Sequence, residues 1–251
     1  MASQRKVAFI TGANRGIGLE TARGLAALGY AVALGCRDEE KGRAAAEELK
    51  AGGAADVEVV RCDVADIAGH DAVVRRLEER YGRLDALVNN AGIMVDPGDF
   101  SAGGLDTTLT VSMETLRRTF DVNFFAVVAL TRSLLPLLRK SPAGRIVNLS
   151  SVLASLTLHA NPKSPIYHMK AFAYDASKTA LNAFTVHLAH ELRDTPIKVN
   201  SAHPGWVQTE LGGKAAPMPL DEGGKTSVQL ATLPEDGPTG GFFHLGEPLP
   251  W

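Results

Sequence analysis

Hydrophobic and polar positions follow two regimes along the chain. Seven short runs are apolar on both faces and predict strands: "KVAFIT" (6–11), "AVALGC" (31–36), "DVEVVRC" (56–62), "LDALVNN" (84–90), "GRIVNLSS" (144–151), "IKVNSAHP" (197–204) and "GGFFHL" (240–245). Between them, apolar residues recur at helical spacing over 16–28, 39–51, 66–81, 112–139, 175–193 and 222–233. A stretch rich in Gly, Asp and Thr, running to about residue 111, reads as a long loop. Strands apolar on both sides and separated by helices predict a parallel sheet covered on both faces, a single doubly wound α/β domain of about seven parallel strands.

Right-handed crossovers place the C-terminal ends of all these strands on one edge, where such sheets bind ligands. The ends read Thr11-Gly12, Cys36-Arg37, Cys62-Asp63, Asn89-Asn90, Ser150-Ser151 and His203-Pro204-Gly205, far more polar than the strand interiors. "TGANRGIG" (11–18) leaves the first strand and opens a helix. Gly12, Gly16 and Gly18 permit a tight turn and close approach of a ligand, and the helix N-terminus offers free N–H groups to a pyrophosphate. The spacing is G-x3-G-x-G rather than G-x-G-x-x-G, but its place in a first βαβ unit predicts a Rossmann-type dinucleotide site. An acidic residue ending strand two would bind ribose hydroxyls. Here Arg37 stands there, with Arg15 in the glycine loop, and two guanidinium groups suit a 2′-phosphate. Asp38 competes as a partner for Arg37, and Arg37 also reads as a solvated surface charge. NADPH is expected over NADH.

Composition narrows the partners. A net charge of −2 gives no basic excess for nucleic acid or an anionic membrane. The 45% apolar content with 22% charge is that of an ordinary globular chain. "MASQRKVAFITG" contains no signal-like apolar run, and no stretch approaches the ~20 apolar residues of a membrane span. Cys36 and Cys62 have no partners in sequence for a disulfide framework or a zinc site. His187 and His190 lie three apart on a helix without further ligands, so no metal is expected. A cytoplasmic location follows.

Several of these residues together resemble the short-chain dehydrogenase/reductase family, over essentially the whole chain. "TGANRGIG" is similar to its cofactor loop, "CDV" (62–64) to its adenine-pocket region, "NNAG" (89–92) to its post-strand-four motif, and "PGWVQTE" (204–210) to its nicotinamide-side loop. Asn123 in "DVNFFA", Ser151 in "NLSS", and Tyr174 with Lys178 in "YDASK" match its catalytic four. "LGCRDEEKGRAAAEEL" is most similar to its NADPH-dependent carbonyl reductases. The resemblance implies cofactor contacts from Gly12, Asn14, Arg15, Gly16, Ile17, Gly18, Arg37, Asp63, Val64, Asn90, Ala91, Gly92, Tyr174, Lys178, Pro204, Gly205, Val207 and Thr209.

Two tyrosines compete. Tyr167 has Lys170 at i+3, and Tyr174 has Lys178 at i+4, so spacing alone does not decide. Context favours Tyr174, because Lys178 begins the amphipathic run "KTALNAFTVHLAHEL", whereas Pro162 and Pro165 break any long helix around Tyr167. The family's Y-x3-K pattern is met by Tyr174 alone. Ketone reduction needs a hydride and a proton on the nascent alkoxide. The Lys178 ammonium is expected to lower the phenol's pKa from about 10. The resemblance also implies that Lys178 binds the nicotinamide ribose. Ser151 steadies developing charge on the substrate oxygen, and is preferred to Ser150 by alternation and by the family pattern. Asn123 would anchor a relay water; a buried amide satisfied by backbone is its blander reading.

The chain departs from the family in its long span from Ser151 to Tyr174. An insertion around 153–170 resembles that of monomeric carbonyl reductases, where it covers the helix face used for dimerisation, and it implies a monomer. The Gly/Pro-rich stretch around 205–224 reads as a mobile lid. Ile93, Met94, Leu153, Tyr167 and Trp206 are candidate walls of an apolar pocket for a small hydrophobic carbonyl substrate, with His159 also near it. The expected activity is NADPH-dependent reduction of a ketone or aldehyde. The alternatives are an NAD-dependent alcohol dehydrogenase and a non-catalytic NADP-binding sensor.

Overall fold

The computed structural model describes residues 5–96 and 107–251, so much of the loop before residue 111 lies outside the described residues. The strands are β1 (Val7–Thr11), β2 (Ala31–Cys36), β3 (Val57–Arg61), β4 (Ala86–Asn89), β5 (Arg145–Leu149), β6 (Lys198–Ala202), β7 (Phe242–His244) and β8 (Glu247–Pro248). They form one sheet in the order β3-β2-β1-β4-β5-β6-β7-β8. Neighbours from β3 through β7 are parallel, and β8 adds an antiparallel edge that hydrophobic patterning did not foresee. The winding reverses between β1 and β4, which opens a crevice beyond their C-terminal ends.

The helices are α1 (Gly16–Ala27), α2 (Glu39–Ala51), α3 (His70–Tyr81), α4 (Met113–Phe120), α5 (Ala126–Leu138), α6 (Leu156–Ala160), α7 (Phe172–Glu191) and α8 (Lys225–Ala231). They cover both faces. Phe9, Leu87, Ile146 and Val199 pack with Leu77, Leu130, Leu134 and Leu188 on one side. Ile10, Leu34, Val88 and Val147 pack with Leu25, Leu49 and Leu230 on the other. Each fully buried Leu contributes roughly 1.5–3 kcal/mol by leaving water.

A π-helical turn, Asp121–Phe125, joins α4 to α5 without a break. The resulting Met113–Leu138 helix is long and apolar enough to cross a membrane by length and composition alone, which corrects the expectation that no stretch approaches that length. Its apolar residues serve the core: Leu130, Leu134, Leu137 and Leu138 are all buried there.

The edge of the sheet opposite the crevice is braced by two charged groups. Arg145, 3% exposed, donates to the carbonyls of Gly144, Pro196, Leu233 and Pro234. Asp85 accepts from Val7 N (2.8 Å), Ser141 Oγ (2.6 Å) and Arg83 Nε (3.0 Å). These bonds tie the start of β1 to the turns before β4 and β5.

The 153–170 segment forms a turn at Val152–Ala154, then α6, then further turns. Ile166 and Met169 pack with Tyr174 and Leu153 beside the start of α7. Phe125, the last residue of the π-helical turn, and Val186, on α7, stay 53% and 41% exposed. The 205–224 segment closes on itself rather than standing open. Val207 bridges to Met218, Gln208 N donates to Met218 O (2.9 Å), and Trp206 Nε1 donates to Gly212 O (2.8 Å).

Candidate active site

The crevice holds a cleft of about 1210 Å³. Its cofactor end is built by backbone. β1 ends at Thr11, and Gly12 (φ +67°) turns the chain with its N–H on Gly35 O at 2.7 Å. Gly16 (φ +59°) opens α1, whose N-terminus has no side-chain cap, so its first amides face the cleft. Gly18 packs so closely that a Cβ there would lie 2.5 Å from Asn90 Nδ2 and 2.6 Å from Gly12 O. Asn90 clamps this loop: Nδ2 donates to Thr11 O (2.7 Å) and Gly12 O (3.3 Å), and its N–H to Thr11 Oγ1 (3.0 Å). Asn90 thus shapes the cradle with its side chain.

The two guanidinium groups differ. Arg15 pairs with Glu210 across the cleft mouth, joining the glycine loop to the 205–224 segment. Arg37 is exposed at the end of β2 and makes no ion pair among the described residues. Asp38, the expected rival, instead caps α2, accepting from Glu40 N and Lys41 N at 3.1 Å each and pairing with Lys41 Nζ at 3.3 Å. Arg37 therefore faces the cleft rim without a competing carboxylate. Cys36 and Cys62 are buried; burial pushes the first thiol up and the second up to about 12, which leaves both unreactive.

At the other end, Ser151, Tyr174 and Lys178 meet. Ser151 lies beyond β5, its Oγ accepting from Leu153 N (3.2 Å), and its hydroxyl acts to lower the Tyr174 phenol pKa. Ser150 is also buried, with Oγ unpartnered in protein. Lys178 Nζ stands 5.7 Å from the Tyr174 ring centroid and donates to Leu149 O at 2.7 Å. Burial lowers the ammonium to about 8. Burial also drives the Tyr174 phenol up to about 12, with the Ser151 hydrogen bond opposing it. The direction is opposite to the lowering expected from Lys178: the ring is buried, and desolvation of the phenolate dominates.

Asn123 sits fully buried behind this wall, in the π-helical turn. Its Oδ1 accepts from Ile93 N (2.8 Å), and Nδ2 donates to Ile93 O (2.8 Å) and Ser177 Oγ (3.0 Å). Both amide protons are used, while Oδ1 keeps a second lone pair. A Cβ on Gly92 would meet Asn123 Oδ1 and Lys178 Nζ, each at 3.3 Å.

The family model for short chain dehydrogenases matches residues 6–219. The chain belongs to that family. A mouse relative, "Carbonyl reductase [NADPH] 1", is 32% identical with all of both chains covered. Salutaridine reductase of Papaver bracteatum is 31% identical over 98% of this chain and 96% of its own. Among solved structures, an NADPH-bound carbonyl reductase from chicken fatty liver superposes with a TM-score of 0.83 at 28% identity, covering 99% of this chain and 100% of that one. As a short chain dehydrogenase the protein is an oxidoreductase of a family that uses nicotinamide cofactors, with carbonyl and alcohol reductases among its relatives.

In this short chain dehydrogenase, all the cofactor residues named from sequence line the cleft, as do Ser151, Ile93, Met94, Leu153 and Trp206. Tyr167 does not. It lies outside, with Lys170 Nζ 5.2 Å over its ring and His168 against its edge. His159 is also outside, its Nε2 2.9 Å from Leu153 O. Ile166 and Met169 take their place on the wall. Proline spacing hid them, because they sit in consecutive turns without a period. His203 was also missed: its Nδ1 accepts from Val152 N (3.2 Å), next to Ser151. Burial lowers His203 to about 3, so it stays a neutral acceptor. Asp96 was missed as well. It accepts from the amides of Ala173 and Tyr174 at the start of α7, which begins at Phe172 rather than 175.

Proposed function

We propose that the protein reduces a bulky apolar ketone or aldehyde to an alcohol with NADPH, Tyr174 giving the proton. The carrying observation is the convergence of Ser151, Tyr174 and Lys178 in one cleft with a glycine cradle at its other end. The cradle fits a dinucleotide: left-handed glycines, open helix amides, and a position at Gly18 where a Cβ would collide. Gly12, Gly16 and Gly18 would hold the pyrophosphate, Asp63 and Val64 flank the adenine side, and Arg37 would take the 2′-phosphate. When bound, the nicotinamide supplies a hydride to the carbonyl carbon.

The chain's own groups do the rest. A phenol at about 12 stays protonated at neutral pH, which is the state a proton donor to a nascent alkoxide needs. Ser151 donates a hydrogen bond to the same oxygen and steadies its charge. The Lys178 ammonium, 5.7 Å from the ring centroid, stabilises the phenolate left after transfer until a proton from solvent restores the phenol, and it would bind the nicotinamide ribose. Ile93, Met94, Ile166, Met169 and Trp206 keep the carbonyl's substituents out of water. Arg37, with no ion pair among the described residues, favours NADPH over NADH.

The test is NADPH and NADH oxidation against aliphatic, aromatic and cyclic carbonyls, with Tyr174→Phe alongside. Turnover with NADPH should fall by about 10²–10⁴-fold in Tyr174→Phe while cofactor binding persists. Turnover that survives the substitution would overturn the mechanism. NADPH binding without turnover on any carbonyl would favour the sensor instead.

A further inference from the structure

The residue before α7 does not cap its first amides. Its N-cap, Ala171, offers no side-chain acceptor to the first-turn amides. Such amides need acceptors when buried, and this turn carries Tyr174. Two aspartate side chains meet the need, one from outside the helix and one from its own first turn. Asp96, 6% exposed, accepts from Ala173 N through Oδ1 (3.0 Å) and from Tyr174 N through Oδ2 (3.2 Å). Asp175 reaches back to Ala171 N (3.1 Å). Negative charge at this helix end is also favoured by the aligned peptide dipoles.

Asp96 belongs to the segment, residues 91–96, that leaves β4 and touches each part of the site. Ala91 N donates to Thr11 Oγ1 (3.0 Å) beside the glycine loop. Gly92 abuts Asn123 and Lys178. Ile93 takes both ends of the Asn123 amide. Asp96 then bonds the amide of Tyr174 itself. His159 and Lys170 stand on the outer side of Asp175, and neither bonds the amides of Ala173 or Tyr174.

We infer that Asp96 is a positioning residue: by gripping the amides of Ala173 and Tyr174, it locks the first turn of α7, and with it the phenol, to the segment leaving β4. The inference rests on the reading of Tyr174 as proton donor. Small displacements of a proton donor cost rate rather than affinity.

The test compares wild type, Asp96→Ala, and Asp96→Ala with Ala171→Ser, which offers a local cap to the same amides. Asp96→Ala should lower kcat by about tenfold to hundredfold, with carbonyl KM and NADPH affinity little changed. By NMR, exchange of the Ala173 and Tyr174 amides should speed by at least about tenfold. Adding Ala171→Ser should restore most of both. Unchanged kcat despite fast exchange would overturn the inference. So would a joint fall of kcat and NADPH affinity that Ala171→Ser does not repair, since that marks a role in folding the loop. A wild type that binds NADPH but reduces no carbonyl would instead defeat the proposed function. The exchange measurement would then decide alone: unchanged protection at Ala173 and Tyr174 would refute the grip, and lost protection restored by Ala171→Ser would support it.

Discussion

The two ends of the cleft are built in opposite ways. The cofactor end is mostly backbone, drawn from one short stretch, Gly12 to Gly18, with Asn90 as its main outside support. The proposed catalytic end is side chains brought together from separate places, Ser151 after β5 and Tyr174 with Lys178 on α7, with Asn123 in the π-helical turn and Asp96 after β4 beside them. A backbone site tolerates almost no change within its own stretch. A side-chain site depends on distant partners whose removal moves atoms without emptying the cleft.

Substitutions can break or sharpen that contrast. Gly18→Ala should have the largest effect. Its Cβ would push on Asn90 Nδ2 and Gly12 O, and neither a clamped amide nor a loop carbonyl can retreat. NADPH affinity should fall roughly hundredfold by calorimetric titration. An affinity within threefold of wild type would show the cradle to be softer than its geometry. Arg37→Ser should come next, weakening NADPH by about tenfold to hundredfold through lost charge-assisted bonds. NADH affinity should not move; an equal loss for both cofactors would remove the 2′-phosphate assignment.

The smallest effect belongs to the catalytic end. Burial raises Asp175 to about 8, from an ordinary value near 4. Between these values the unfolded chain is ionised while the folded one keeps its proton. Stability is therefore full below about pH 4 and declines as pH climbs towards 8. Asparagine cannot ionise. Asp175→Asn should raise Tm by a few degrees at pH 8 and hardly at all at pH 4, by calorimetry. A gain equal at both pH values would mean that packing, not charge, governs the site.

The same contrast governs what could be read from the sequence. The sheet was legible because its strands are continuous apolar runs, and the glycine loop because its requirements are local. β8 was not, since a two-residue edge carries no pattern. The start of α7 was misplaced because its amides are held by Asp96, a residue far away in sequence with nothing distinctive around it. Asp38 was legible as a charge near Arg37, but its commitment to the amides of α2 depends on the helix starting at Glu39. Tyr167 drew attention by its lysine, and that lysine proves to lie on its ring rather than beside a cleft. The high phenol pKa was beyond sequence altogether, because desolvation is a property of the packed site.

The braces at the far edge of the sheet carry a consequence for how such a chain can change. Arg145 and Asp85 stitch turns that lie opposite the cleft, and none of their bonds reaches the strand ends that carry chemistry. The loops above the sheet can lengthen, shorten or be exchanged while those stitches hold. A chain on this plan keeps its frame at one edge of the sheet while the segments at the other edge vary.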